Sequence, residues 1–312
     1  MWIIDKIRSS KRNNKRFEDI ATEWLNLKKN TIKQSTYYKY AYCIDKYLKE
    51  ELAKLKKKEL ERYDYNNMTN NLTKELSPKS VKEILNVLKS ILKYANQRYE
   101  MNIKIDLIIS PKVYNKEISV LSKREVNKLE KYCVNENDFK SLGIFICLNT
   151  GMRIGEICAL KWEDIDFDKR LINVRKTLQR IYTVNRKTEV IIDRTKTESS
   201  IREIPMSDKV YHVLKEVSKK QDKESFFFLT GSKVRYIEPR SYQNIYKRIL
   251  KASKVKEYNF HVLRHTFATN CIKVGMDIKS LSEILGHASV DVTLNRYVHS
   301  SYEMKKKFLE KL

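Results

Sequence analysis

The chain has 312 residues, and its 64 Lys and Arg against 39 Asp and Glu leave a formal charge of +25 that is spread over both halves. Such a surplus on a folded body favours a polyanionic partner over a small acidic ligand, and 19 Tyr, 10 Phe and 3 Trp add flat surfaces for sugars and bases. No apolar run approaches the ~20 residues of a membrane span, the amino terminus lacks a signal peptide's apolar core, and five scattered cysteines without a Cys-x-x-Cys pair exclude a disulfide framework, so a cytoplasmic protein without membrane association is expected.

Residues 1–16 hold Lys6, Arg8, Lys11, Arg12, Lys15 and Arg16 with little to bury, and read as a basic tail. From Phe17 the pattern turns helical. FEDIATEWLNLKK offers Ile20, Trp24, Leu25 and Leu27, and the tyrosine-rich TYYKYAYCIDKYLKEEL offers Tyr40, Cys43, Ile44, Tyr47 and Leu48. The clearest helix of this half begins at Ser77, a capping residue followed by Pro78 at the first helical position. Its apolar set Val81, Ile84, Leu85, Leu88, Ile91, Leu92 and Ala95 follows the i, i+3, i+4, i+7 template. Residues 17–100 therefore read as a bundle of about four helices, whose lysines form either a solvated face or a DNA-facing one. Over 101–118 the helical pattern lapses around Pro111, which marks an interdomain linker.

Ser122 and Glu125 form a capping box that opens a second domain over 119–312. Leu142 to Leu148 reads as a buried helix ending at Thr150-Gly151, and Arg153-Ile154-Gly155-Glu156 starts another, with Glu156 close enough to hold the arginine fork. From Ile165 to Ile204 the period becomes two, in the runs LINVRKTL, RIYTV, EVIID and IREIP, and predicts a small antiparallel sheet. Lys196 falls in the loop RTKTESS. Helices follow over Ser207–Lys219 and Pro239–Ala252, with a short strand FFFL between them. The last stretch, from Asn259 to His299, carries three short helices. Val262, Phe267, Ala268, Cys271 and Ile272 belong to the first, stopped at Gly275. Asp277 caps a second that Gly286 ends, and Ser289 caps a third through Tyr297. His261 and Arg264 share one face of the first helix, and His287 sits just past the second. His265 points elsewhere and, like His212 and His299, is read as structural.

The chain has no P-loop, no Gly-rich dinucleotide fingerprint, no metal-binding spacing and no Gly-x-Ser-x-Gly elbow, so no cofactor and no metal are expected. Phosphate chemistry would then fall to side chains alone. Arg153, Lys196, His261, Arg264, His287 and Tyr297, in that order and in the contexts TGMRIGEICALKW, HVLRHTFAT and LGHASVDVTLNRYVH, make the chain resemble the tyrosine recombinase or phage integrase family. The resemblance extends over residues 17–312. It implies a mainly α fold with a small antiparallel sheet, in which a SAM-like helical domain binds core DNA sites and a mixed α/β domain is catalytic.

The resemblance also implies a site-specific recombinase of a phage or conjugative transposon, with Tyr297 as nucleophile, the two arginines as phosphate clamps, Lys196 as general acid, and His261 and His287 in roles left open. Expected partners are double-stranded DNA with core sites, a homo-tetramer on that DNA from a monomer or weak oligomer, and possible accessory DNA-bending proteins. The tail YEMKKKFLEKL resembles a terminal helix that docks on its own domain or on a neighbour. Many integrases of mobile elements carry a further N-terminal domain for distant arm sites, which is not evident here and implies a core-only or shortened chain. Alternatives are a Xer-type dimer-resolution recombinase, a type IB topoisomerase and a catalytically silent DNA-binding regulator.

Overall fold

The computed structural model describes residues 15–114, 118–136, 138–183, 187–194, 201–219, 227–297 and 310. Most of the basic tail, the Lys196 loop, His299 and nearly all of the terminal segment lie outside them. The chain divides into two compact units, one drawn from Met1–Lys116 with Ile181–Glu189 and one from Glu117–Arg180 with Val190–Leu312.

In the first unit, α1 (Phe17–Lys28) turns Phe17, Ile20, Ala21 and Trp24 inward, while Leu27 faces solvent. The tyrosine-rich α2 (Gln34–Cys43) buries only Cys43 and runs into one π-helical segment, Ile44–Leu48, before α3 (Lys49–Leu52). Ile44 and Leu48 are both buried there, as their spacing of four would also give in an α-helix, so the apolar pattern does not announce the wider turn. Short helices α4 (Lys57–Arg62) and α5 (Tyr65–Glu75) lead to α6 (Pro78–Tyr99). The Ser77 hydroxyl accepts the Ser80 N–H, Pro78 occupies the first turn, and all seven expected apolar residues of α6 are buried. Fully burying such aliphatic side chains contributes about 1.5–3 kcal/mol each, so this one face carries much of the unit. The bundle is thus richer than four helices.

Tyr94 and Tyr99 of α6 both donate their hydroxyls to Glu23 of α1, Tyr94 at 2.6 Å. The segment after α6 packs back on the same unit: Met101, Ile103 and Ile108 are buried, and Asn96 exchanges two hydrogen bonds with Ile103.

The second unit opens with the Ser122–Glu125 box ahead of α7 (Lys123–Glu136). Next comes α8 (Phe139–Thr150), whose residues 141–148 are all buried. α9 (Ile154–Ala159) follows Gly151. β1 (Ile165–Asp166), β2 (Leu171–Val174) and β5 (Arg202–Pro205) form an antiparallel sheet in the order β1-β2-β5, with Val174 opposite Arg202. β3 (Lys176–Tyr182) and β4 (Thr188–Arg194) pair as a separate two-stranded sheet, so the expected single sheet is two. The described residues 227–229 of FFFL form no strand: Phe227 makes isolated bridges to Lys161 and Ser232, and a turn follows at once.

The remaining helices are α10 (Asp208–Ser218), α11 (Pro239–Ala252), α12 (His261–Lys273), α13 (Ile278–Leu285) and α14 (Val290–Tyr297). Tyr242 and Tyr246 of α11 fill the core beside Phe260. All five cysteines are reduced and buried. Among the described residues no helix is long and apolar enough to cross a membrane.

Candidate active site

The end of α8 sets the first corner. Gly151 adopts φ +67°, and a Cβ there would lie 2.6 Å from Phe267 and 2.8 Å from Leu285, so only glycine lets α12 and α13 approach this turn. Two residues later Arg153 leads into α9. Its own N–H is accepted by Glu156 Oε2 at 2.8 Å, while its guanidinium donates to Glu156 Oε1 at 2.8 Å and to the Gly286 carbonyl at 2.9 Å. The fork is therefore held by the carboxylate expected from sequence and by a carbonyl from a distant helix end.

Glu156 is 3% exposed and has a second partner. Arg202 of β5 donates to both its oxygens, at 3.1 and 2.8 Å, and through Nε to the Ile284 carbonyl at 2.5 Å. Sequence reading passed over Arg202. The signal was present: in IREIP the period-two alternation puts residue 202 on the face of Ile204, and both are buried.

Arg264, expected to share a face with His261, is 2% exposed while His261 faces solvent, because α12 packs on nearly all sides beyond its first residue. Its guanidinium donates to the Gly151 carbonyl at 2.9 Å and to the Leu285 carbonyl at 2.8 Å. Three guanidiniums thus grip the three consecutive carbonyls Ile284, Leu285 and Gly286 at the C-terminus of α13, oxygens that the helix itself leaves without partners. Asp277 caps the start of that helix and Gly286, at φ +64°, ends it.

Among the described residues three cations face one carboxylate, Glu156, in a largely dry place. Burial and the neighbouring Arg153 pull the Arg264 pKa down from its usual value, with Arg202 adding to the effect while Glu156 and Tyr297 oppose it. Burial alone would raise the Glu156 carboxyl, but Arg202 and Arg153 hold it at about 2. A cluster with uncompensated positive charge is relieved by an anion, and guanidinium forks match phosphate oxygens.

Beyond the arginines stand the rings. His287 follows Gly286, its Nδ1 2.7 Å from the Thr293 hydroxyl. Its ring is parallel to that of Tyr297, with centroids 6.4 Å apart and planes 6° from coincidence. Tyr297 closes α14, 9% exposed, and its hydroxyl lies 2.8 Å from Nδ1 of His265. His265 meets the exposed His261 edge to face at 5.1 Å. Of the residues singled out from sequence, Arg153, with Glu156, and Arg264 converge on the C-terminal end of α13, and His287, Tyr297 and, through His265, His261 join through rings. Lys196 falls outside the described residues. His265, read as structural, is in contact with the tyrosine hydroxyl; its place directly after Arg264 gave no sign of this. His212 packs on Tyr211 of α10. Among the described residues no group of three or more His, Cys, Asp or Glu is placed to hold a metal.

Comparison with known proteins adds an independent line. A profile described as the phage integrase family matches residues 119–304, and one described as a phage integrase N-terminal SAM-like domain matches residues 16–73. A "Tyrosine recombinase XerC-like" protein of Caldanaerobacter subterraneus subsp. tengcongensis is 28% identical over 94% of this chain and 82% of its own length. The transposase from transposon Tn916 of Enterococcus faecalis is 35% identical over 51% of this chain, which spans only 42% of that protein. In fold, the chain is similar to the Tn1549 transposon integrase in complex with transposon right end DNA, with a TM-score of 0.75 and 22% identity over 96% of this chain and 99% of that one.

Proposed function

The chain belongs to the phage integrase family, and on that footing we propose that it is a site-specific DNA recombinase of a mobile element, cutting and rejoining strands through a 3′-phosphotyrosine. The observation that carries this reading is the set of three guanidiniums on the carbonyls of residues 284–286, directly before His287, whose ring lies parallel to that of Tyr297. An anion site beside a phenol is what phosphodiester exchange by side chains alone requires.

In the proposed reaction the Tyr297 oxygen attacks the phosphorus, the bond to the 5′ oxygen breaks, and a proton from Lys196 lets the 5′ hydroxyl leave. Arg153 and Arg264 stabilise the charge that grows on the non-bridging oxygens. Glu156 keeps Arg153 aimed, and His261 and His287 line the phosphate. The phenol, with an unperturbed pKa of ~10, leaves again more readily than an alkoxide, so resealing needs no nucleotide. Residues 17–100 would grip core sites on double-stranded DNA, 101–118 join that domain to the catalytic one over 119–312, and the basic surface binds backbone phosphates.

Exchange between two duplexes involves four strands and each chain offers one nucleophile, which supports a tetramer on DNA assembled from a monomer or weak oligomer. Accessory DNA-bending proteins and a cytoplasmic setting fit that role. The long match to a XerC-like protein favours dimer resolution as the second reading. Trapping on a pool of nicked duplexes of randomised sequence tests the common chemistry: the unaltered chain forms a covalent adduct, and Tyr297→Phe binds DNA as before but forms none. Equal adduct from both would move the nucleophile elsewhere.

A further inference from the structure

The phenol of Tyr297 must lose a proton before or as it attacks, and the family resemblance leaves the two expected histidines without assigned roles. The structure offers a third. His265 stands in the middle of α12, 8% exposed, with Nδ1 2.8 Å from the Tyr297 hydroxyl. That is hydrogen-bond distance to the attacking atom itself. His287 lies parallel to the phenol ring and engages Thr293 through Nδ1, and His261 meets His265 edge to face.

We propose that His265 is a further catalytic residue, the base that receives the Tyr297 proton during cleavage and returns it during rejoining. The inference rests on the recombinase reading above. In the forward step the phenolic O–H bond breaks, its proton goes to Nδ1 of a neutral His265, the phenolic oxygen forms the bond to phosphorus, and the electron pair of the broken P–O bond leaves on the 5′ oxygen, which is protonated separately. Resealing runs the same transfers backward, and the imidazolium hands its proton to the departing phenolate. No other reactant is needed.

Unperturbed values of ~6.5 for imidazole and ~10 for phenol make the transfer uphill in isolation. The cation beside it changes this. Arg264 and Tyr297 interact favourably, so the guanidinium also stabilises a phenolate. Among the described residues the titrating or charged groups around the pair are His261, Arg264 and Cys271 of α12 and His287, with Arg153 and Arg202 beyond them on Glu156. Burial raises the Cys271 thiol to about 11, so it does not compete for the proton near neutrality.

His265→Asn separates a base from a mere support, because its side-chain oxygen can still accept the phenolic hydrogen bond but cannot take the proton. Single-turnover adduct formation is measured on the nicked duplexes recovered from the randomised pool, across pH, with thermal melting and DNA binding as controls. The expected result is unchanged binding, a cleavage rate lower by about 10²–10⁴-fold, and a rise with pH displaced from the imidazole range toward that of the phenol. A rate within about threefold of the unaltered chain, or a pH profile that does not move, overturns the proposal and leaves His265 a support. Should the variant fail to fold, the unaltered chain decides alone: a rate that climbs through the imidazole range and levels sustains a histidine base, and one that climbs only toward pH ~10 removes it. Absence of any adduct from the unaltered chain takes down the recombinase reading and this inference together, whereas adduct lost in Tyr297→Phe but undiminished in His265→Asn removes this inference alone.

Discussion

Two carboxylates anchor the two units, and they are held in different ways. Glu23 accepts from the phenols of Tyr94 and Tyr99, with Arg98 at 3.8 Å and Lys15 at 3.9 Å on the solvent side. Glu156 is enclosed by the guanidiniums of Arg153 and Arg202, with Arg264 sharing the same helix end. Neutral donors leave Glu23 as a clamp between α1 and α6, complete in itself, and its outer cations are screened by water. Charged donors leave Glu156 outnumbered. What separates the two clusters, among the described residues, is the charge of the donors: neutral phenols on Glu23 and cations on Glu156.

The comparison breaks most sharply at Glu156. Changing Glu156→Gln keeps the shape but strips the counter-charge from buried cations, and an unfolding free energy lower by about 3–5 kcal/mol is expected in denaturant titration. Inorganic phosphate should recover part of that loss by binding the folded form alone. A loss no larger than that of Glu23→Gln would mean that the two clusters are energetically alike.

Acid sharpens the contrast next. The folded Glu156 carboxyl titrates at about 2, below the ~4.3 of an unfolded glutamate, so its stabilisation is complete above pH ~5 and drains as pH falls toward 2. Equilibrium unfolding followed from pH 6 to pH 2 should show a loss on the order of 3 kcal/mol that is absent in Glu156→Gln. Glu23 is also held below its usual value, first by the Tyr94 hydrogen bond and then by Tyr99, so acid removes its contribution in the same direction.

The smallest effect lies in the clamp itself. Tyr94→Phe leaves Glu23 with Tyr99 and solvent, and melting should register a loss of about 1 kcal/mol with no change in adduct formation. A larger loss would mean that the phenol pair acts as one unit.

How much of this could be read beforehand follows from the distance between partners along the chain. The cap at Ser77, the apolar face of α6, the Ser122–Glu125 box and the left-handed Gly151 and Gly286 depend on neighbours within a few positions, and all were legible. The π-helical segment at Ile44–Leu48 was not, since one extra residue in a turn leaves the composition unchanged. FFFL misled because a run of aromatics suits a buried turn as well as a strand. Arg153 and Glu156 sit three residues apart and could be paired from sequence, whereas Arg202 reaches Glu156 across 46 positions and Arg264 reaches Gly151 across 113. His265 and Tyr297 meet across 32, and only the path of α13 and α14 brings them together.

The grip on the end of α13 constrains this chain in an unusual currency. Arg202, Arg264 and Arg153 hold main-chain oxygens of residues 284, 285 and 286, which every amino acid possesses. Residues 284 and 285 can therefore drift in identity as far as packing allows without releasing a guanidinium. A single inserted or deleted residue within α13 would instead swing each oxygen by roughly 100° about the helix axis and move it by about 1.5 Å along it. What the three guanidiniums register at this point is the length of the helix, more than its spelling.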